Sequence, residues 1–154
     1  MHEFLACALA THRPRLLQRW DQSLRALPPS SALAHPDSLV HLMPTTLDRL
    51  HSALAAHAVR RRSTPSAACA CGMNPLVTFF ITAETALIDT LFIEEPAWAR
   101  LSRTQREVGL ALLRATLHTI ANDDIEAFCS LCQMRGTIGR DRQPSSARAV
   151  SAPV

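Results

Sequence analysis

An all-α fold, a bundle of four to five helices, is predicted by three features of the sequence. Only 4 of the 154 residues are Gly, and the long Ala- and Leu-rich stretches favour helix over sheet. Apolar residues recur at three- and four-residue spacings instead of alternating. Hydrophobic residues make up 47% of the chain, which is enough for the core of one domain. We therefore predict a helical domain over residues 1–136 and, because periodicity is lost there, a disordered tail over 137–154.

The first helix is predicted over residues 3–27. Its apolar positions share one face: Leu16, Leu17, Trp20, Leu24 and Leu27. Pro14 predicts either a break near Thr11 or the first turn of a second helix. The Pro-Pro-Ser-Ser run from Pro28 predicts a loop.

Two further helices are predicted before residue 62. Asp37 or Ser38 is expected to cap a short helix that runs to Leu42. A longer helix is predicted over 44–61, because apolar residues again form one stripe: Leu47, Leu50, Leu54 and Ala58.

The most apolar helix is predicted from Asn74-Pro75 to about Phe92, with Asn as N-cap and Pro at the first helical position. Its few polar residues fall on one narrow stripe, which we expect to face water: Thr78, Thr82, Thr85 and Asp89. Glu84 lies apart from this stripe on the apolar arc, so its carboxylate needs a partner. That partner is either an Arg of the next helix, such as Arg114, or a bound ligand or proton.

The last helix is predicted to begin at Ser102 or Thr104, with Thr104 and Glu107 as a capping box. The run Asn122-Asp123-Asp124 predicts either a kink or a polar step on a continuous helix. Gly136 is the expected stop.

Composition argues against two classes of function. The net charge is only +3, too small to indicate a nucleic-acid-binding protein. Glu3 lies where a signal peptide needs basic residues, and the apolar run 76–93 contains Glu84 and Asp89, which argues against a membrane span. We therefore expect a cytoplasmic protein, in which paired cysteines more often bind metal or act in redox chemistry than form structural disulfides.

Two pairs of cysteines are the strongest functional signal. Cys69 and Cys71 form a Cys-x-Cys pair just before the Asn74-Pro75 helix start, and Cys129 and Cys132 form a Cys-x-x-Cys pair in the last helix. Short connections make the last two helices an antiparallel hairpin. Counting ~1.5 Å per helical residue places Asn74 level with residues 121–123, and Cys129 ~10 Å beyond. The segment carrying Cys69 and Cys71 can reach a similar distance, so we predict that the four thiols meet.

Four thiolates suit a tetrahedral Zn²⁺ ion or an iron–sulfur cluster. The predicted metal ligands are therefore Cys69, Cys71, Cys129 and Cys132, with a disulfide or plain core thiols as the alternatives.

Cys7 is isolated and expected in the core. His57 and His118 are interpreted as histidines at the edge of the core, and no residues are predicted to be catalytic.

Two resemblances accompany these patterns. The cysteine pairs resemble the zinc switch of the redox-regulated heat-shock chaperone, which implies that such a set can bind zinc and be oxidised. Residues 13–60, through their helix spacing and Trp20, resemble the helical N-terminal sensor domain of bacterial stressosome co-antagonist and histidine-kinase proteins. That second resemblance implies a globin-like bundle without haem, and a homodimer or another protein partner.

The leading functional prediction is a small, non-enzymatic, sensor-like or regulatory protein whose four-cysteine zinc site is structural or redox-responsive. The first alternative is an iron–sulfur electron-transfer or redox component. The second is a metal-free helical module that binds a protein partner.

Overall fold

A computed structural model describes residues 1–57 and 74–131, and this part of the chain is helical with no strand. Six α-helices follow in order: α1 (His2–Arg25), α2 (Pro36–Leu39), α3 (Leu42–Ala55), α4 (Pro75–Ile88), α5 (Pro96–Ala99) and α6 (Arg103–Leu131). A 3-10 turn at Ala32–Ala34 precedes α2, and a π turn at Asp89–Ile93 continues α4. The predicted all-α bundle is confirmed over the described residues, whereas the boundary at residue 136, Gly136 and the tail lie outside them.

The four long helices form a ring in which α1 packs on α3 and α4, and α6 packs on the same two helices. His2 near the start of α1 contacts the carbonyl of Leu54 at the end of α3. Trp20 late in α1 contacts the carbonyl of Phe79 early in α4. Helices α3 and α4 are therefore both antiparallel to α1 and start at the same end of the bundle. We call this the Asn74 end, and the other the α5 end.

Helix α1 is continuous through Pro14, so both predicted alternatives, a break near Thr11 and the start of a second helix at Pro14, are wrong. Pro14 removes the hydrogen bond that would reach the carbonyl of Ala10, and both residues are exposed, which leaves that carbonyl accessible to water. Leu9 before the proline and Leu16 after it are both buried in the same core. Their burial holds the two halves of α1 in one helix.

Two predicted boundaries also shift. Helix α2 is capped by His35, whose Nδ1 accepts from the Asp37 amide at 3.4 Å, and not by Asp37 or Ser38. Helix α3 ends at Ala55 instead of residue 61, because His57 adopts a φ of 51° that a right-handed helix excludes. The predicted apolar stripe of α3 is confirmed at its three leucines: Leu47, Leu50 and Leu54.

The core is mostly aliphatic and contains a few buried aromatic side chains. Trp20 is 1% exposed, and its ring lies against Phe79 with centroids 4.5 Å apart. The indole N–H donates to Thr82 Oγ1 at 3.1 Å and to the Phe79 carbonyl at 3.2 Å. Thr82 is consequently buried, so the prediction that its stripe faces water is wrong at this residue. The exposed face of α4 carries Val77 and Ile81 together with Thr85, the one residue of the predicted stripe that is fully exposed.

One segment, Pro75–Ile93, is long and apolar enough to cross a membrane by length and composition. Half of this segment is buried inside the bundle, as in the core helix of a water-soluble domain. This weak candidate does not indicate a membrane protein.

Gly109 permits a close approach of α5 to α6 at the α5 end. A Cβ at this position would overlap the outer ring of Trp98 and lie 3.0 Å from Met1 Sδ. Trp98 is 3% exposed and packs against Phe92, with ring centroids 3.8 Å apart, so its ring has little freedom to move. The missing side chain of Gly109 is therefore what lets α5 lie against α6.

Replacing Gly109 with alanine is expected to destabilise the domain by about 1–3 kcal/mol, because overpacking outweighs the helix propensity that alanine adds. Urea denaturation followed by circular dichroism measures this change. Ala111→Gly, at an exposed position of the same helix, measures the effect of helix propensity without a change in packing. It should lower the free energy of unfolding by about 1 kcal/mol or less. A Gly109→Ala protein as stable as the wild type would contradict the close contact with Trp98.

Candidate functional site

Asn74 begins α4 as the sequence predicts. Its backbone is extended, its Oδ1 accepts from the Leu76 amide at 2.9 Å, and Pro75 occupies the first helical position. The side chain is also buried, with only 5% of the residue exposed. A buried amide needs hydrogen-bond partners for its N–H groups as well as for its oxygen. The partners of the Asn74 amide nitrogen therefore identify the candidate site.

The amide nitrogen of Asn74 bridges α4 to α6. Nδ2 donates to Cys129 Sγ at 3.3 Å and to the Ile125 carbonyl at 3.3 Å. Cys129 is a free thiol, half-buried and packed against the core. The start of α4 and the last turns of α6 are therefore direct neighbours, which is the arrangement that a shared thiol site requires.

The hairpin of α4 and α6 is antiparallel, as predicted, but its register differs by about one turn. Asn74 lies level with Ile125 and Cys129, instead of with residues 121–123. The cause lies at the α5 end, where residues 102–108 are all exposed because α6 begins beyond the end of α4. Cys129 consequently contacts the N-cap of α4, instead of lying ~10 Å beyond it.

The last turns of α6 are held in place from a second side. Arg49 of α3 makes two contacts with the Asp124 carboxylate, at 2.7 and 2.8 Å. Helix α6 runs through Asn122, Asp123 and Asp124 without interruption, so these residues form a polar step and not a kink. Contacts with both α3 and α4 therefore hold in place the helix that carries Cys129.

Of the four predicted metal ligands, Cys129 lies within the described residues, and Cys69, Cys71 and Cys132 lie outside them. Within residues 1–57 and 74–131 there is no cluster of three or more His, Cys, Asp or Glu side chains that would hold a metal ion.

Cys7 is exposed, so the prediction of a core thiol is wrong. It projects from α1 between Phe4, whose ring contacts Trp98, and His12, which pairs with Glu95. Both neighbours belong to the α5 end of the bundle. Cys7 therefore cannot join a site at the Asn74 end.

A second polar cluster joins α4 and α6 halfway along the hairpin. Arg114 Nε lies 2.8 Å from Glu84 Oε1, and His118 Nε2 lies 2.9 Å from Glu84 Oε2. Of the two partners considered for Glu84, the arginine is thus confirmed. Burial alone would raise the pKa of Glu84, but the hydrogen bonds from His118 and Arg114 outweigh it and hold that pKa below its ordinary value.

Replacing Glu84 with glutamine is expected to cost about 0.5–1 kcal/mol near neutral pH, a small value because His118 and Arg114 are largely exposed. A carboxylate with a lowered folded-state pKa stabilises above its unfolded value of 4.5 and loses that contribution as the pH falls through the folded-state value. The difference in unfolding free energy between the two proteins should therefore shrink as the pH falls below 4.5 and disappear once Glu84 is protonated in the folded protein as well. A difference that persists at that point would show that Glu84 acts through packing and not through its charge.

Comparisons with known proteins add no relative: no family model, no curated protein and no solved structure matches this chain.

Proposed function

We propose that the protein is a small, non-enzymatic metal-binding module, in which Cys69, Cys71, Cys129 and Cys132 bind one Zn²⁺ ion at the Asn74 end. The observation that supports this best is the contact between Asn74 and Cys129, 3.3 Å between Nδ2 and Sγ. It places Asn74, three residues after Cys71 in the sequence, next to Cys129. The four thiols then need only the reach of a few residues to converge.

The surroundings of Cys129 suit a metal-bound thiolate. The residue is half-buried against the core, which limits access of water to the sulfur. The adjacent amide N–H is the kind of donor that supports a ligand from the outer shell of a metal site. Four thiolates around zinc leave no open position, so such a site is structural or redox-responsive and not catalytic.

Such a site would link metal binding to folding. The start of α4 and the last turns of α6 come from distant parts of the chain and are already joined by the Asn74 contacts. An ion bound to both would stabilise this end of the bundle, because metal affinity for the folded site adds to folding free energy. Oxidation of each thiolate pair to a disulfide by hydrogen peroxide, which takes up two protons and is reduced to two water molecules, would release the ion and that stabilisation.

Elemental analysis of protein purified without oxygen tests the proposal. We expect one zinc per chain and a colourless solution. Iron with inorganic sulfide, accompanied by visible absorbance, would instead identify the iron–sulfur alternative in the same ligand set. Less than half an equivalent of any metal would contradict both and leave the metal-free module.

A protein-binding role is a second candidate, because two apolar side chains on the outward face of α4 are exposed. Val77 is 38% exposed and Ile81 is 60% exposed, on neighbouring turns of one helix. Exposed apolar stripes on a helix are common at protein–protein contacts. A second copy of the chain is the simplest partner, and sedimentation of the native protein over a range of concentrations distinguishes monomer from dimer.

A further inference from the structure

A cavity of about 440 Å³ lies between α1 and α3 and opens to solvent. One turn of each helix lines it: Leu9, Ala10 and Arg13 from α1, and Leu47, Asp48 and His51 from α3. Leu9 and Leu47 are buried in the core, so they give the cavity an apolar wall. The volume falls within the range of about 300–1,000 Å³ that small-molecule sites occupy, and an apolar wall with a few polar groups is typical of such sites.

Arg13 brings a positive charge to this cavity, but partners within the protein already engage it. Its Nη1 donates to Asp48 Oδ1 at 2.6 Å, and its Nη2 donates to the Pro44 carbonyl at 3.2 Å. The carboxylate of Asp48 offsets the charge of the guanidinium. With His51 neutral, the lining therefore has no excess positive charge that would attract an anion.

Two acceptor groups remain available at the cavity. Pro14 lacks the N–H that a regular helix would give to the carbonyl of Ala10, and α1 is nevertheless continuous through it. Asp48 accepts from Arg13 through Oδ1, whereas its Oδ2 accepts no hydrogen bond from the residues that the structure describes. The Asp48 side chain is also 64% exposed, so a ligand can reach it. The polar groups left for a ligand are therefore acceptors.

We propose that this cavity binds a small aliphatic amine in its protonated form. The ammonium group donates to the Asp48 carboxylate and to the Ala10 carbonyl, and the alkyl part packs against Leu9 and Leu47. An ammonium group has several N–H donors and no acceptor, which complements a site whose available groups only accept. Its hydrogen bond to a carboxylate is charge-assisted and therefore among the stronger ones. This site is independent of the proposed zinc site.

The probe is hexylammonium, added to the full chain at about pH 7.5, where histidine side chains are mostly neutral and aliphatic amines are protonated. Hexanoate and 1-hexanol carry the same number of carbon atoms and a different head group. We expect hexylammonium to cause saturable shifts of the amide NMR resonances of residues 9–13 and 47–51. Binding of 1-hexanol should be at least about 10-fold weaker, because it lacks the charge. Hexanoate should cause no saturable shift, because Asp48 repels it.

Asp48→Asn keeps the size of the side chain and removes its charge, so it should weaken the binding of hexylammonium about 10-fold or more. Asp37→Asn is the matched control. Asp37 is 66% exposed and pairs with Arg25 at 2.9 Å, much as Asp48 pairs with Arg13, but it does not line the cavity. The affinity of Asp37→Asn for hexylammonium should equal that of the wild type.

Pro14→Ala separates binding from stability. Alanine supplies the N–H for the Ala10 carbonyl and is strongly favoured over proline inside a helix, so the melting temperature should rise. The affinity for hexylammonium should nevertheless fall about 3- to 10-fold, because one acceptor of the ligand is now occupied. A weaker affinity in a more stable protein is not explained by unfolding.

Three results would each overturn the proposal. The first is the absence of saturable shifts at residues 9–13 and 47–51 when hexylammonium is added. The second is binding of hexanoate or 1-hexanol as tight as that of hexylammonium, which would show that the ammonium group is not recognised. The third is an Asp48→Asn or Pro14→Ala protein that binds hexylammonium as tightly as the wild type.

Discussion

Replacing Trp20 with alanine is expected to destabilise the protein by about 3–5 kcal/mol, the range for a fully buried aromatic residue. Trp20 is 1% exposed and packs on Phe79, so alanine leaves a cavity between α1 and α4. It also deprives Thr82 and the Phe79 carbonyl of the indole N–H that binds both of them. A loss of this size is a large part of the stability of a typical domain.

Chemical denaturation of Trp20→Ala and of two comparison variants measures this effect. Trp20→Phe retains a ring but no donor and should cost less than alanine, because the cavity is smaller. Val108→Ala, at a position that is 53% exposed, should change stability by no more than about 0.5 kcal/mol. If Trp20→Ala were no more destabilising than Val108→Ala, the packing of α1 against α4 would be wrong.

Loss of metal is the largest effect expected at the proposed site. Cys71→Ser and Cys129→Ser should each abolish high-affinity zinc binding and lower the melting temperature by similar amounts, because each removes one ligand from the same ion. Cys7→Ser is the matched control, since Cys7 is exposed and belongs to the α5 end. Metal content per chain and thermal unfolding, measured on anaerobically prepared protein, compare the three variants.

The pattern across these variants matters more than any single loss. If Cys71→Ser loses zinc while Cys129→Ser retains a full equivalent, the two pairs do not share an ion. If Cys7→Ser loses zinc as well, the site includes a residue that the fold places at the opposite end. Either result contradicts the four-cysteine arrangement.

Much of the fold follows from local signals in the sequence. Asn74-Pro75 predicts the start of α4 because both residues act within one turn, on the amide of Leu76 and on the first helical position. The partner of Glu84 was also predictable, because a carboxylate on an apolar helix face needs a cation and Arg114 lies on the neighbouring helix. Residues adjacent in the sequence determine the contact in the first case, and the antiparallel pairing of two helices determines it in the second.

The errors share a cause, which is that tertiary contacts overrode a local preference. Pro14 breaks an isolated helix, but buried leucines on both sides hold α1 together. Thr82 is polar, but the indole of Trp20 gives its hydroxyl a partner inside the core. Cys7 has apolar neighbours along the chain and still faces outward. Periodicity alone does not identify these partners.

The candidate site also combines features that local sequence signals predict with features that only tertiary packing determines. The two cysteine pairs and the cap of α4 are visible in the sequence, and the hairpin that joins them follows from a short connection. The register of that hairpin depends on how far α6 extends past the π turn, which no local signal encodes. The amide of Asn74 therefore emerged as a neighbour of Cys129 only from the packing of α4 against α6.

Zinc K-edge X-ray absorption on the anaerobically purified protein tests the central claim most directly. A site formed by Cys69, Cys71, Cys129 and Cys132 predicts a single shell of four sulfur atoms at about 2.3 Å from the metal. A shell of nitrogen and oxygen atoms, or one with only two sulfurs, would show that the two cysteine pairs do not converge on one ion.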